Sequence, residues 1–159
     1  MQRDSLIKPA AIAFAIALVA YATLYSCDDH LRTRKGPWEV DFAADTNGAP
    51  TIVIRQPGLG VERFQLVFAG ERAPTNFTPV TVRFDTPQQK VPVGEFLYDD
   101  LMYLPGVVTL NLFGHGIELL PRTLIVNGRE EPWRATATLE LKPEAKKPLP
   151  PVPKKKKRY

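Results

Sequence analysis

From residue 36 onward the apolar and polar positions alternate with a period of two. Trp38, Val40 and Phe42 alternate with Glu39 and Asp41, and Phe64, Leu66 and Phe68 with Arg63, Gln65 and Val67. Val80, Val82 and Phe84 alternate with Thr81 and Arg83, and Trp133, Ala135, Ala137, Leu139 and Leu141 with Arg134, Thr136, Thr138 and Glu140. Each run places one face on a core and the other in water, the pattern of a half-buried strand. Residues 51–55 and 107–113 are more continuously apolar, as strands covered on both faces would be. The separators Asn47-Gly48, Pro57-Gly58, Ala69-Gly70, Pro105-Gly106 and Asn127-Gly128 are turn chemistry. Asn127-Gly128 follows Leu124-Ile125-Val126 and predicts a tight hairpin. About eight short strands so separated predict an all-β antiparallel sandwich or small barrel over residues 36–141. Strand–helix alternation is missing, which argues against a doubly wound nucleotide-binding fold. One stretch departs from the pattern. Leu97, Leu101 and Leu104 stand at helical spacing with Asp99 and Asp100 opposite, which predicts a short helix or an irregular crossover between the sheets.

Before this domain the pattern is different. After a short basic start, residues 1–8, no charge occurs from Pro9 to Cys27, a run of 19 residues. A spanning helix needs about 17–25 apolar residues. Ile12, Phe14, Ile16, Leu18, Val19 and Leu24 together favour insertion by about 3 kcal/mol, at roughly 0.5 each. Pro9 suits the first turn of a helix, and Tyr21 and Tyr25 stand one turn apart where an interfacial aromatic belt would place them. The run lacks amphipathic polarity, so a transmembrane or signal segment is expected over a buried core helix. Three fates fit it: an uncleaved signal anchor, favoured here; cleavage after Ala20-Tyr21-Ala22; or lipidation at Cys27. Leu24-Tyr25-Ser26-Cys27 resembles a bacterial lipobox, and that resemblance implies an acylated Cys27. Residues 28–35 read as a linker. Arg32, Arg34 and Lys35 follow the segment and oppose export, whereas the signal-like order of basic start and apolar run favours it. An inner-membrane, single-pass protein with its domain outside the cytoplasm is expected.

Charge adds a third region. Of the 21 Lys and Arg, eight fall in residues 142–159 against one of the 17 acids, so that segment carries +7. The rest, with 13 bases and 16 acids, carries −3, and the net charge is +4. The folded domain is thus mildly acidic, and nucleic acid is not expected as its partner. The Pro/Lys-rich segment cannot bury apolar surface and reads as an extended, disordered tail. Lys154, Lys155, Lys156, Lys157 and Arg158 would contact an anionic surface, each contributing about 1 kcal/mol near a bilayer. Pro150-Pro-Val-Pro-Lys-Lys also fits a PxxP-type ligand.

Candidate chemistry is sparse. Gly114-His115-Gly116 could present a histidine on a sharp turn, but the glycines are more simply read as serving the bend. Cys27-Asp28-Asp29-His30 has metal-capable side chains that four consecutive residues cannot converge on one ion, so neither metal nor other cofactor is expected. Asp99 and Asp100 are adjacent and would face opposite sides of a strand, so they read as a solvated pair. No nucleophile elbow, phosphate loop or His-Glu-x-x-His run occurs, and the chain is expected not to be an enzyme. Pro37-Trp38 and Pro132-Trp133 each open a strand. Exposed together, the indoles of Trp38 and Trp133 would form a platform for sugar rings or a peptide; buried, they would cap the core. The alternating runs that follow them favour the second.

These observations lead to a membrane-anchored, non-enzymatic interaction or accessory module of a bacterial cell envelope, with a protein or an anionic envelope polymer as partner. Two alternatives stand beside it. One is an envelope polysaccharide-binding protein or lipoprotein using the two tryptophans. The other is a cytoplasm-facing membrane protein whose basic tail binds anionic lipid or nucleic acid.

Overall fold

A computed structural model describes residues 7–86, 89–102 and 104–150, without the side chains of Ile7 and residues 28–34. The chain divides after Arg34 into a helical unit and a β unit.

Helix α1 runs from Ile7 to Arg34, so the expected linker at 28–35 is helical through Arg34. Within it Lys8–Cys27, with mean hydropathy 1.9 and no buried surface, is long and apolar enough to cross a membrane or act as a signal sequence. Its large apolar side chains stand in the open, from Leu18 at 57% to Leu24 at 71% exposure. Tyr21 and Tyr25 stack with ring centroids 6.2 Å apart, as their one-turn spacing predicts. The Thr23 hydroxyl donates back to the carbonyls of Val19 and Ala20, both at 2.9 Å. A polar group so satisfied is tolerated in an apolar surround.

Among the described residues the β unit holds ten strands in two five-stranded sheets. The first sheet contains β1 (Trp38–Ala44), β2 (Pro50–Gln56), β3 (Val61–Phe68), β4 (Val80–Phe84) and β10 (Thr136–Leu141), in the order β10-β3-β2-β1-β4. The second is a meander of β5 (Glu95–Asp99), β6 (Val108–Leu112), β7 (His115–Leu119), β8 (Thr123–Val126) and β9 (Arg129–Pro132). All pairings are antiparallel except β10 with β3, which makes the first sheet mixed. That exception follows from the connection: β10 returns from the second sheet and joins β3 at a sheet edge, so no hairpin forces it to be antiparallel.

The alternation read from the sequence sets the inner faces. Trp38, Val40, Phe42, Phe64, Leu66, Phe68, Val82 and Phe84 are buried in one cluster with Leu110, Leu112, Ile117 and Leu119 of the second sheet. Val80, from the same alternating set, opens β4 and stays 41% exposed, while Val82 and Phe84 of that strand are buried. Two elements correct the expectation. Residues 95–99 form strand β5, not a helix, and its pairing with β6 shifts between Phe96 and Tyr98. Leu97 falls at that bulge, and Leu101 and Leu104 lie beyond the strand in the turn that follows, so the three share no helix face. The chain passes between sheets before β5, not within it. The second correction is β9, whose sequence Arg-Glu-Glu-Pro is too polar to read as a strand yet pairs fully with β8 as an edge.

Candidate functional site

The most constructed surface lies where the strands β3 and β10 end. After Leu141 a 3-10 turn, Pro143–Ala145, redirects the chain. Residues 146–149 then run across the turns at that end of both sheets. Ordered structure thus continues past the expected domain boundary at 141. Two of those turns are two-residue hairpins of type I′. Phe113 and Gly114 have φ of 51° and 80°, Asn127 and Gly128 φ of 55° and 77°. The Asn127-Gly128 hairpin is the one the sequence predicts.

This segment acts as a strap held at four points. The Ala69 N–H donates to the Leu141 carbonyl at 2.9 Å, and Pro143 packs on Gly70. The Lys146 ammonium pairs with Glu71 at 2.5 Å. Lys147 bridges in parallel to His115, with the Gly116 N–H donating to the Lys147 carbonyl at 3.2 Å. Leu149 sits on Gly116, so close that an added Cβ there would lie 2.6 Å from its Cγ. The glycine at 116 is therefore needed for a close approach of chain, not for unusual backbone angles.

Under the strap lies His115, with no exposed surface. Its ring faces Phe68, centroids 5.8 Å apart, and its Nδ1 meets the Asn127 side-chain amide nitrogen at 2.9 Å. Nε2 is buried without a partner among the described residues, as is the Asn127 Oδ1. Burial, then the Lys146 ammonium, lowers the histidine's pKa from its ordinary value; the Asn127 hydrogen bond and Glu71 act the other way. The ring is thus held neutral and sequestered, and the expectation that the flanking glycines serve a bend applies to Gly114, while Gly116 seats the strap. Beside it the edge strands β9 and β10 flank a groove of about 620 Å³. Its wall carries Val126, Leu139 and Leu141 beside Arg129, Lys142 and Lys147.

The other sequence-chosen residues lie elsewhere. Trp38 and Trp133 do meet, with ring centroids 5.1 Å apart, but packed against each other with their planes tilted by 34°. Trp38 is fully buried and its Nε1 donates to the Gly106 carbonyl at 2.7 Å; half-buried Trp133 donates to Leu120 at 2.8 Å and packs edge-on to Phe64. The pair caps the core, and an open platform of two indole faces is not formed. Asp99 and Asp100 are not an equivalent solvated pair. Both Asp99 oxygens are buried without a partner among the described residues, and burial, then the charge of Asp100, raises its carboxyl pKa. Asp100 instead accepts from the Met102 N–H at 3.1 Å. Among the described residues no group of three His, Cys, Asp or Glu could hold a metal ion. Cys27 is a free, exposed thiol at the end of the apolar span. Lys154, Lys155, Lys156, Lys157 and Arg158 lie outside the described residues. The strap escaped sequence reasoning because its partners are some 30–80 residues away and its own composition reads as tail; the isolated Gly116 within an apolar strand was the available signal. No family model, curated protein or solved structure matches the chain, so the geometry alone carries the functional reading.

Proposed function

We propose that this chain is a single-pass, membrane-anchored β-sandwich that serves as a non-enzymatic interaction module of a bacterial cell envelope, its domain outside the cytoplasm. The observation that carries the reading is the Lys8–Cys27 helix, apolar on every side and without buried surface. In water such a surface is costly, at about 25 cal/mol for each Å² left exposed, and a bilayer removes that cost. The domain supports the second half of the reading. Its only described imidazole is sealed under the strap, and its indoles hydrogen-bond to backbone carbonyls within the domain. What it offers a partner is the groove flanked by β9 and β10, and beyond it the cationic run at 154–158. The salt-sensitive attraction of that run to anionic lipid or polymer is short-ranged, decaying over about 8 Å at physiological ionic strength.

Replacing Ile16 with Arg tests the anchor. An arginine at a helix centre costs about 2.5–3.5 kcal/mol, as much as the whole apolar run contributes. The wild-type chain is expected in the membrane pellet after alkaline carbonate extraction and the variant in the supernatant. Release of the wild type by carbonate would refute the anchor.

A further inference from the structure

The strap and the buried histidine form one device. Residues 143–149 close the end of the domain, and their backbone pairs with His115 and Gly116 themselves. The groups around the ring come from four elements. They are Phe68 on β3, with Phe113 of the β6–β7 turn packed against it, Glu71 just beyond β3, Asn127 of the β8–β9 turn, and Lys146 of the strap. A neutral ring protonated on Nδ1 fits this cage once the Asn127 amide turns its buried Oδ1 to accept that proton, since Nε2 then carries no hydrogen. An imidazolium does not. It has two N–H donors, and Nε2 has no acceptor among the described residues. In that same orientation an imidazolium adds an Nε2–H that finds no acceptor and a second positive charge near that of Lys146.

We propose that residues 143–149 are a latch that stays closed while His115 is neutral and is released when His115 is protonated. Release withdraws Lys146 from the ring and admits water to Nε2, and both changes favour the imidazolium. The sign follows. A histidine whose pKa is lowered in the closed form stabilises that form fully above its ordinary value of about 6.5. As pH falls below that value, each unit shifts the balance toward release by up to tenfold, until the closed form's own pKa is passed. In the closed form Glu71 holds the Lys146 ammonium at 2.5 Å. Opening breaks that ion pair and uncovers the end of the core where Phe68 packs against Phe113 and His115.

The test is electron paramagnetic resonance on the full-length chain in detergent micelles, with a nitroxide at Glu144→Cys in a Cys27→Ser background, from pH 7.5 to 5.0. The ratio of mobile to immobile label is expected to rise by up to tenfold per pH unit below about 6.5, with the sheet signal in circular dichroism unchanged. It is expected to stay flat in His115→Gln. A ratio that never changes, that changes equally in His115→Gln, or that changes only as the sheet signal is lost would overturn the latch. Should His115→Gln fail to fold, nuclear magnetic resonance titration of His115 in a His30→Gln chain decides the matter. Its midpoint must coincide with that of label release, and titration without release would refute the proposal.

Discussion

Replacing Gly116 with alanine sets two effects of opposite sign against each other. Gly116 sits in β7 without a positive φ, so alanine fits its backbone, and Gly→Ala in a strand is worth about 0.5–1 kcal/mol in its favour. Against this, the new Cβ would lie 2.6 Å from Leu149 Cγ and 3.0 Å from the Lys147 carbonyl oxygen. The second is a backbone atom, so the strap itself must lift. Lifting breaks the Gly116–Lys147 hydrogen bond, worth about 1 kcal/mol net. It also exposes the half-buried Leu149 side chain, for about another 1 kcal/mol. Closure of the strap should therefore weaken by about 2 kcal/mol, close to thirtyfold in its opening equilibrium. Global stability should fall by only about 1 kcal/mol, because the alanine gain offsets half the loss. Urea unfolding measures the second quantity, and hydrogen exchange at residue 116 the first. A further arm separates the causes: in a chain truncated after residue 145 the same substitution should become neutral or stabilising, a coupling typical of groups in contact. A variant that is more stable than wild type with the strap present, or equally destabilised with and without it, would refute the packing argument.

Trp38→Phe should cost about 3 kcal/mol in urea unfolding, since it leaves a cavity and strands the Gly106 carbonyl that the indole N–H satisfies at 2.7 Å; a loss under 1 kcal/mol would show that the indole is not a core element. Asp99→Asn should stabilise the domain at pH 7. A carboxyl whose pKa is raised on folding contributes stability below its unfolded value that is lost as pH rises through the folded one, so the gain should vanish near pH 3; a melting temperature lowered by the substitution at pH 7 would mean that Asp99 is ionised and paired. His115 has the converse dependence, with stability falling as pH drops below about 6.5, and a pH profile identical in His115→Gln would contradict it.

Much of the fold could be read from particular residues. The period-two runs at 38–42, 64–68 and 82–84 place their apolar members inward, and Asn127-Gly128 makes the tight hairpin that its chemistry requires. What failed to read did so for physical reasons. β5 is short and bulged, so it offers too little alternation to read, and the leucine spacing that suggested a helix runs past its end into a turn. β9 is an edge strand whose charged and proline residues serve the edge, not the core. The site was the least legible part. Trp38 and Trp133 belong together, as sequence suggests, but whether two indoles stack inward or open outward depends on the sheet-to-sheet packing that brings Gly106 and Leu120 to their N–H groups. His115 looked exposable because Gly114 and Gly116 flank it; its cover comes from residues 143–149, which local composition assigns to a tail. Long-range cover of this kind leaves only a trace in sequence, here a glycine where a strand would otherwise carry a side chain.

The proposed function requires that helix α1 anchor the chain in a membrane and that the β domain stand outside the cytoplasm. Protease treatment of intact spheroplasts carrying the full chain with a C-terminal epitope addresses both. Loss of the epitope without lysis, while the chain remains in the membrane fraction, is the predicted result; protection of the epitope until lysis would place the domain in the cytoplasm and contradict the envelope function proposed for it.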